Sequence, residues 1–144
     1  MGLRHETRRL AVQALFGLDA NPAQGAAIAS GAAMGEAGEG DSYDAGLLAE
    51  LVGGAWGRRQ EIDRIIEKAS KNWKLSRMDR VDRSILRLGI FEMLDQATVP
   101  APVILSEAVE LAKEFGAPDS PAFINGVLDR IARDLRSDEV KERP

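Results

Sequence analysis

The residues able to do chemistry are few, and they gather at the chain start. Arg4, His5, Arg8 and Arg9 are followed at helical spacing by Gln13 and Phe16. Guanidinium groups neutralise phosphates, and an aromatic ring stacks on an unpaired base or a partner side chain. His5 is the single histidine, and cysteine is absent. Two-histidine metal motifs, thiolate zinc sites, iron–sulfur clusters, disulfides and cysteine nucleophiles are thereby excluded. A Ser-His-Asp triad would have to recruit His5, with no G-x-S-x-G to accompany it. Neither G-x-G-x-x-G after a strand nor G-x-x-x-x-G-K-[ST] occurs. Carboxylates are plentiful, but no pair of them stands out. The expectation is a protein that is not an enzyme, with no catalytic residues, no metal and no cofactor.

Charge distribution says more than the net value of −4. Between Arg58 and Arg87 stand ten Lys/Arg against five Asp/Glu. Acids concentrate from Gly35 to Asp44 and again beyond Phe91. A chain with basic and acidic faces can meet a polyanion with one and a basic partner with the other. With 144 residues, 44% of them hydrophobic, the chain suits one domain or two small subdomains sharing a core. No apolar run approaches the roughly 18 residues of a membrane span, and Met1–Leu10 lacks the apolar stretch of a signal peptide. A cytoplasmic protein with no membrane association is expected.

The elements that must position these residues read as helices, because apolar residues recur at helical spacing and strand signals are almost absent. A first helix is expected over about 3–18. Leu3, Leu10, Ala11, Ala14, Leu15 and Leu18 form its buried stripe. His5, Arg9, Val12, Gln13 and Phe16 lie on the other side, with Arg8 at the margin. Two readings fit that second side: another packing surface, or a binding face. Residues 21–42, rich in small residues and punctuated by glycine, read as a flexible linker, in which the Ala-rich piece from Ala23 to Met34 is at most a weak helix with little bulk to bury. A helical pattern returns at Asp44, where Gly53, Gly54 and Gly57 either weaken the helix or permit close packing. Ile62, Ile65, Ile66 and Ala69 mark the next helix, and Trp73 reads as a core anchor after it. Ser76-Arg77-Met78-Asp79 reads as a capping box for a helix running to about Asp95 that is apolar around most of its circumference, and therefore central. Its charged row, Arg80, Asp82, Arg83, Arg87 and Glu92, reads as a solvated face. Another helix should start near Pro102 and end at Phe115, with Gly116 after it. Asp119-Ser120-Pro121 signals the start of the last helix, a capping side chain followed by proline in the first turn. The fold class is all-α, with six or seven helices: an N-terminal subdomain over 1–75, a C-terminal one over 76–136, and a frayed tail over 137–144.

Four blocks in one order resemble the NusB family. They are Arg9-Leu10-Ala11-Val12-Gln13-Ala14-Leu15-Phe16, Asp82 to Leu94, Val99-Pro100 with Ser106 to Gly116, and Phe123-Ile124-Asn125-Gly126-Val127-Leu128-Asp129. The resemblance implies an all-helical RNA-binding adaptor in transcription antitermination. Such proteins bind the single-stranded boxA element of ribosomal-RNA transcripts with the ribosomal protein NusE, and join the elongation complex with other Nus factors. It implies RNA contacts at Arg4, His5, Arg8, Arg9, Gln13 and Phe16, and a second RNA-contacting region at Asp119, Ser120 and Phe123. Asp82 and Glu92 fall where the protein partner docks. Glu6 interrupts the arginine cluster, and the glycine-rich stretch stands where relatives often have a helix. A helical interaction module, or a homodimer with weak or masked RNA binding, is the alternative.

Overall fold

In the computed structural model every regular element among the described residues, 3–37, 42–70 and 78–140, is helical. In chain order these are α1 (Leu3–Ala20), a 3-10 turn (Pro22–Gln24), α2 (Ala26–Gly35), α3 (Ala45–Gly57), α4 (Arg59–Ala69), α5 (Arg80–Asp95), α6 (Ala101–Phe115), α7 (Ser120–Leu135) and the short α8 (Ser137–Val140). None of them is long and apolar enough to cross a membrane. The apolar girth of α5 puts it at the centre, where α1, α3, α4, α6 and α7 all pack on it. Helix α1 is sandwiched between α5 on one side and α2 with α3 on the other. Val12 is therefore buried along with Leu10, Leu15 and Leu18. Leu3, assigned to the buried stripe from its angle, is exposed in the first turn.

Residues expected to be a flexible linker contain structure. Gly25 takes φ +83, a backbone turn that a side chain would oppose, and leads into α2. Ala29, Ser30 and Ala33 are buried, so the small side chains of α2 are a close-packing surface against α1 and α3. Low bulk is the packing device here, which is why it resembled a linker in sequence.

The helix ends also depart from expectation. Asp79, rather than Ser76, caps α5 by accepting from Val81 N at 2.8 Å. Ser76, Arg77 and Trp73 lie outside the described residues. Asp119 makes no side-chain cap on α7; Ser120 Oγ accepts from Ala117 N instead, at 2.9 Å, and fastens the α6–α7 turn. The tail is helical to Val140, because Glu139 accepts from Ala101 N at 2.6 Å and from Arg136 at 2.6 Å. Arg136 donates in turn to the carbonyls of Met93, Gln96 and Val99, satisfying acceptors left over at the end of α5.

Apart from the exposed Arg80, the charged row of α5 is not a solvated face. Arg83 and Arg87 both pair with Asp19 of α1, and Arg87 reaches Asp63 of α4 through two bonds of 2.8 Å. Burial works to raise the Asp19 carboxyl, but the two arginines outweigh it and hold it below the ordinary range. Trp56 lies beneath Arg59, whose guanidinium carbon is 4.2 Å from the ring centre. These contacts tie α1, α3, α4 and α5 together.

Glycine spacing in α3 separates two roles. A Cβ on Gly54 would sit 2.1 Å from the Phe91 ring, whereas one on Gly53 would meet nothing within 4 Å. Gly54→Ala should destabilise the fold by about 1–3 kcal/mol through overpacking. Gly53→Ala should stabilise it by up to about 1 kcal/mol through helix propensity. Urea unfolding midpoints measure both, and effects of the same sign would refute the close α3–α5 approach.

Candidate nucleic-acid interface

Helices α1 and α6 both lie on α5, and polar side chains span the space between them. His5, on the first turn of α1, is buried and its Nδ1 is hydrogen-bonded to Glu107 Oε2 at 2.5 Å. One turn on, Arg9 Nε donates to Glu114 Oε1 at 2.6 Å, and Nη1 donates to Glu6 Oε1 at 3.0 Å. The Arg9 guanidinium carbon also lies 5.7 Å from the centre of the Phe115 ring. Arg4 is exposed at the start of the helix.

Arg8 departs from its expected role. Its Nε donates to both carboxylate oxygens of Glu92 at 3.0 Å, and its Nη2 donates to Oε1 at 2.9 Å. Each of the two side chains is 4% exposed. Arg8, read as a phosphate contact, and Glu92, read as part of a partner surface, are instead committed to each other. A carboxylate buried in the central helix requires a counter-cation, and Arg8 supplies it from the α1 face that lies on α5.

Further along α1, Phe16 is 41% exposed. With Val12, Gln13, Ala33, Val81 and Phe115 it lines a cavity of about 410 Å³ between α1, α2, α5 and α6. Gln13 Oε1 is buried there without a hydrogen-bond partner among the described residues. Phe115 closes α6, and the turn behind it is tight: a Cβ on Gly116 would lie 2.6 Å from Ser120 Cβ and 2.8 Å from Ala112 O. Gly116 is extended, so this turn needs glycine for space, not for a left-handed backbone. Ser120 is buried, Asp119 is exposed, and Phe123 is half-buried against the core one turn into α7. Phe115 thus touches Arg9, lines the cavity with Gln13 and Phe16, and is followed directly by the turn into α7. Arg8 is not on this face.

Asp82 stands at the other side of the turn. It is 8% exposed, and its Oδ1 has no hydrogen-bond partner among the described residues. Burial pushes its carboxyl above the ordinary range; a hydrogen bond with Ser120 works against that, and the nearby Asp79 and Asp119 push it further up.

Sequence reasoning missed the acidic wall. Glu107 and Glu114 are seven residues apart, two turns of α6, and so share one side of that helix. That spacing was available as a signal, but nothing local identifies α1 as the helix they face. Thr7 was missed as well: its hydroxyl donates to Leu3 O at 2.8 Å and accepts from Asp44 N at 2.9 Å, anchoring the start of α3.

Comparison with known proteins gives a consistent result. A model of the NusB family matches residues 5–133. The transcription antitermination protein NusB of Geotalea uraniireducens (strain Rf4) is 45% identical over 138 residues, covering 92% of this chain and 95% of that protein. The structure of T. maritima NusB superposes with a TM-score of 0.84 at 28% identity, over 96% of each chain. A chain of the crystal structure of antitermination factors NusB and NusE in complex with dsRNA gives a TM-score of 0.79 at 25% identity, over 92% of this chain and 97% of that one.

Two outcomes follow from the geometry. Arg8→Ala should cost about 3–5 kcal/mol of stability by stranding Glu92, whereas the paired change Arg8→Met with Glu92→Leu should restore most of it. Denaturant titration of the three chains decides this; an Arg8→Ala protein as stable as wild type would contradict the buried pair. The second concerns pH. The folded state favours protonated Asp82, so its ionised form costs stability above the raised folded pKa, and the cost vanishes as pH falls below the unfolded value. Asp82→Asn should therefore raise the melting temperature at neutral pH, with a gain that fades in acid. A gain independent of pH would contradict the assignment.

Proposed function

The chain belongs to the NusB family, and from that premise we propose that it binds boxA-like single-stranded RNA of ribosomal-RNA transcripts together with NusE. On this reading it works in the cytoplasm as a non-catalytic adaptor that joins the elongation complex with other Nus factors. One juxtaposition supports the reading: Arg9 of α1 lies against Phe115 at the end of α6, which lines a cavity with Gln13 and Phe16 and leads directly into the turn before Asp119, Ser120 and Phe123. Arg4 and Arg9 neutralise phosphates, while His5, buried against Glu107, holds the first turn of α1 to α6. Phe16 and Phe123 stack on bases, and Gln13 offers its amide nitrogen to a base edge. Ser120 sets the turn from inside, and Asp119 at its rim tempers the attraction for a polyanion. Arg8 acts indirectly, by holding α1 in place through Glu92.

For the protein partner, Asp82 is almost wholly buried and shapes that surface from beneath. Glu92 serves that surface only from within. A relative solved with NusE and RNA supports the pairing of the two ligands. A second reading, a homodimer that covers the RNA face, is favoured by the exposure of Phe16 beside an apolar cavity and of Leu3 at the start of α1. Light scattering separates the two, because a tight dimer that RNA does not dissociate would support masking.

Anisotropy titration of a boxA-like RNA, with NusE present, tests the main reading. Two or three phosphate contacts give a slope of log affinity against log salt of about −1.4 to −2.1. Arg9→Ala should weaken every RNA and flatten that slope by less than about 0.7. Phe123→Ala should cost about 1–3 kcal/mol through lost stacking and leave the slope unchanged. No binding by the wild-type complex would overturn the proposal.

A further inference from the structure

We propose that Glu114 sets RNA affinity by competing with phosphate for Arg9. The inference rests on the RNA-binding reading and adds a residue and a mechanism to it. Among the described residues, Arg9 is the guanidinium that reaches from α1 to both the acidic wall and the aromatic end of α6, through Glu114 at 2.6 Å and Phe115 at 5.7 Å. Its side chain is 29% exposed and that of Glu114 is 37% exposed, so a ligand can reach both. The Arg8–Glu92 pair differs: it is shut inside and cannot be exchanged for anything in solution.

Glu6 also accepts from Arg9, but it stands three residues away on the same helix and moves with it. Glu114 comes from the opposite wall. Its bond to Arg9 therefore crosses the space between α1 and α6 that a strand must enter to reach Phe16 and the α6–α7 turn. A phosphate approaching Arg9 either displaces Glu114 or sits beside two carboxylates. An exposed ion pair is weak enough to be exchanged, and phosphate offers the guanidinium the same two-pronged geometry as carboxylate. Binding then swaps one anion for another on Arg9. The cation contributes less to affinity than a free arginine would, and less to the release of counterions.

The test is a double-mutant cycle on the complex with NusE, using a fluorescein-labelled boxA-like RNA over a range of salt. Glu114→Gln keeps the shape and removes the charge. It should tighten binding by about three- to fivefold at low salt, the scale of an exposed ion pair. The salt slope should steepen by up to about 0.7, a change that mere loosening of α6 would not produce. The gain should vanish when Arg9→Gln is already present. Unchanged or weaker binding by Glu114→Gln overturns the inference and leaves the RNA-binding reading standing. So does a gain that survives in the Arg9→Gln background, because Glu114 would then be acting by general repulsion. Failure of the wild type and every variant to bind overturns the reading and the inference together.

Discussion

The buried pair of Arg8 and Glu92 constrains everything around it. It joins the middle of the first turns of α1 to the last turns of the central helix by three hydrogen bonds. Two charges taken out of water gain little net stability from meeting. What the pair fixes is rotation. Adjacent helical residues are about 100° apart, so turning α1 by one position would bring Arg9 inward and carry Arg8 to the surface. Arg9 would then lose Glu114 and Phe115, and Phe16 would leave the cavity it shares with Phe115. Because Glu92 admits only a guanidinium in one direction, the outward face of α1 is specified by a contact on its inward face.

The same logic explains what the sequence discloses and what it hides. The periodicity of α5 reveals a helix that is apolar on several sides, and a helix of that kind has only the centre to occupy. Proline and glycine mark the ends of α6 and α7 to within a residue or two, since their backbone restrictions are local. Periodicity gives an angle, however, and not the identity of the neighbour at that angle. Arg83 and Arg87 are spaced like a solvated row, and only the arrival of Asp19 and Asp63 from other helices takes them inside. The Ala-rich segment before α3 has too little bulk to announce itself, although closeness to α1 is what small side chains permit. The candidate site divides in the same way. Its α1 residues were legible from spacing, whereas Glu107 and Glu114 become part of it only through the fold.

Pairing also changes how the charge count should be understood. The basic excess between Arg58 and Arg87 suggests a strong local field. Arg58 is paired with Glu61, and Arg83 and Arg87 are held by Asp19 and Asp63. At the start of α1, Glu6, Glu107 and Glu114 stand against the cations. Formal charge thus overstates the attraction a phosphate would feel, since each paired cation presents a dipole more than a monopole at the distance of a ligand. A face of this kind relies on stacking and on a partner more than on bulk electrostatics, and it is protected from binding every polyanion it meets.

The α6–α7 turn ties three helices together through one serine. Asp82, at the start of α5, is hydrogen-bonded to Ser120 at the start of α7. Ser120 also fixes Ala117 N and lies against Gly116, behind the Phe115 ring that touches Arg9. The two ends of this short chain of contacts, Asp82 at the start of α5 and Phe115 at the end of α6, are thereby held together through Ser120. Gly116 keeps the chain taut: a side chain there would push Ser120 away and separate the two ends.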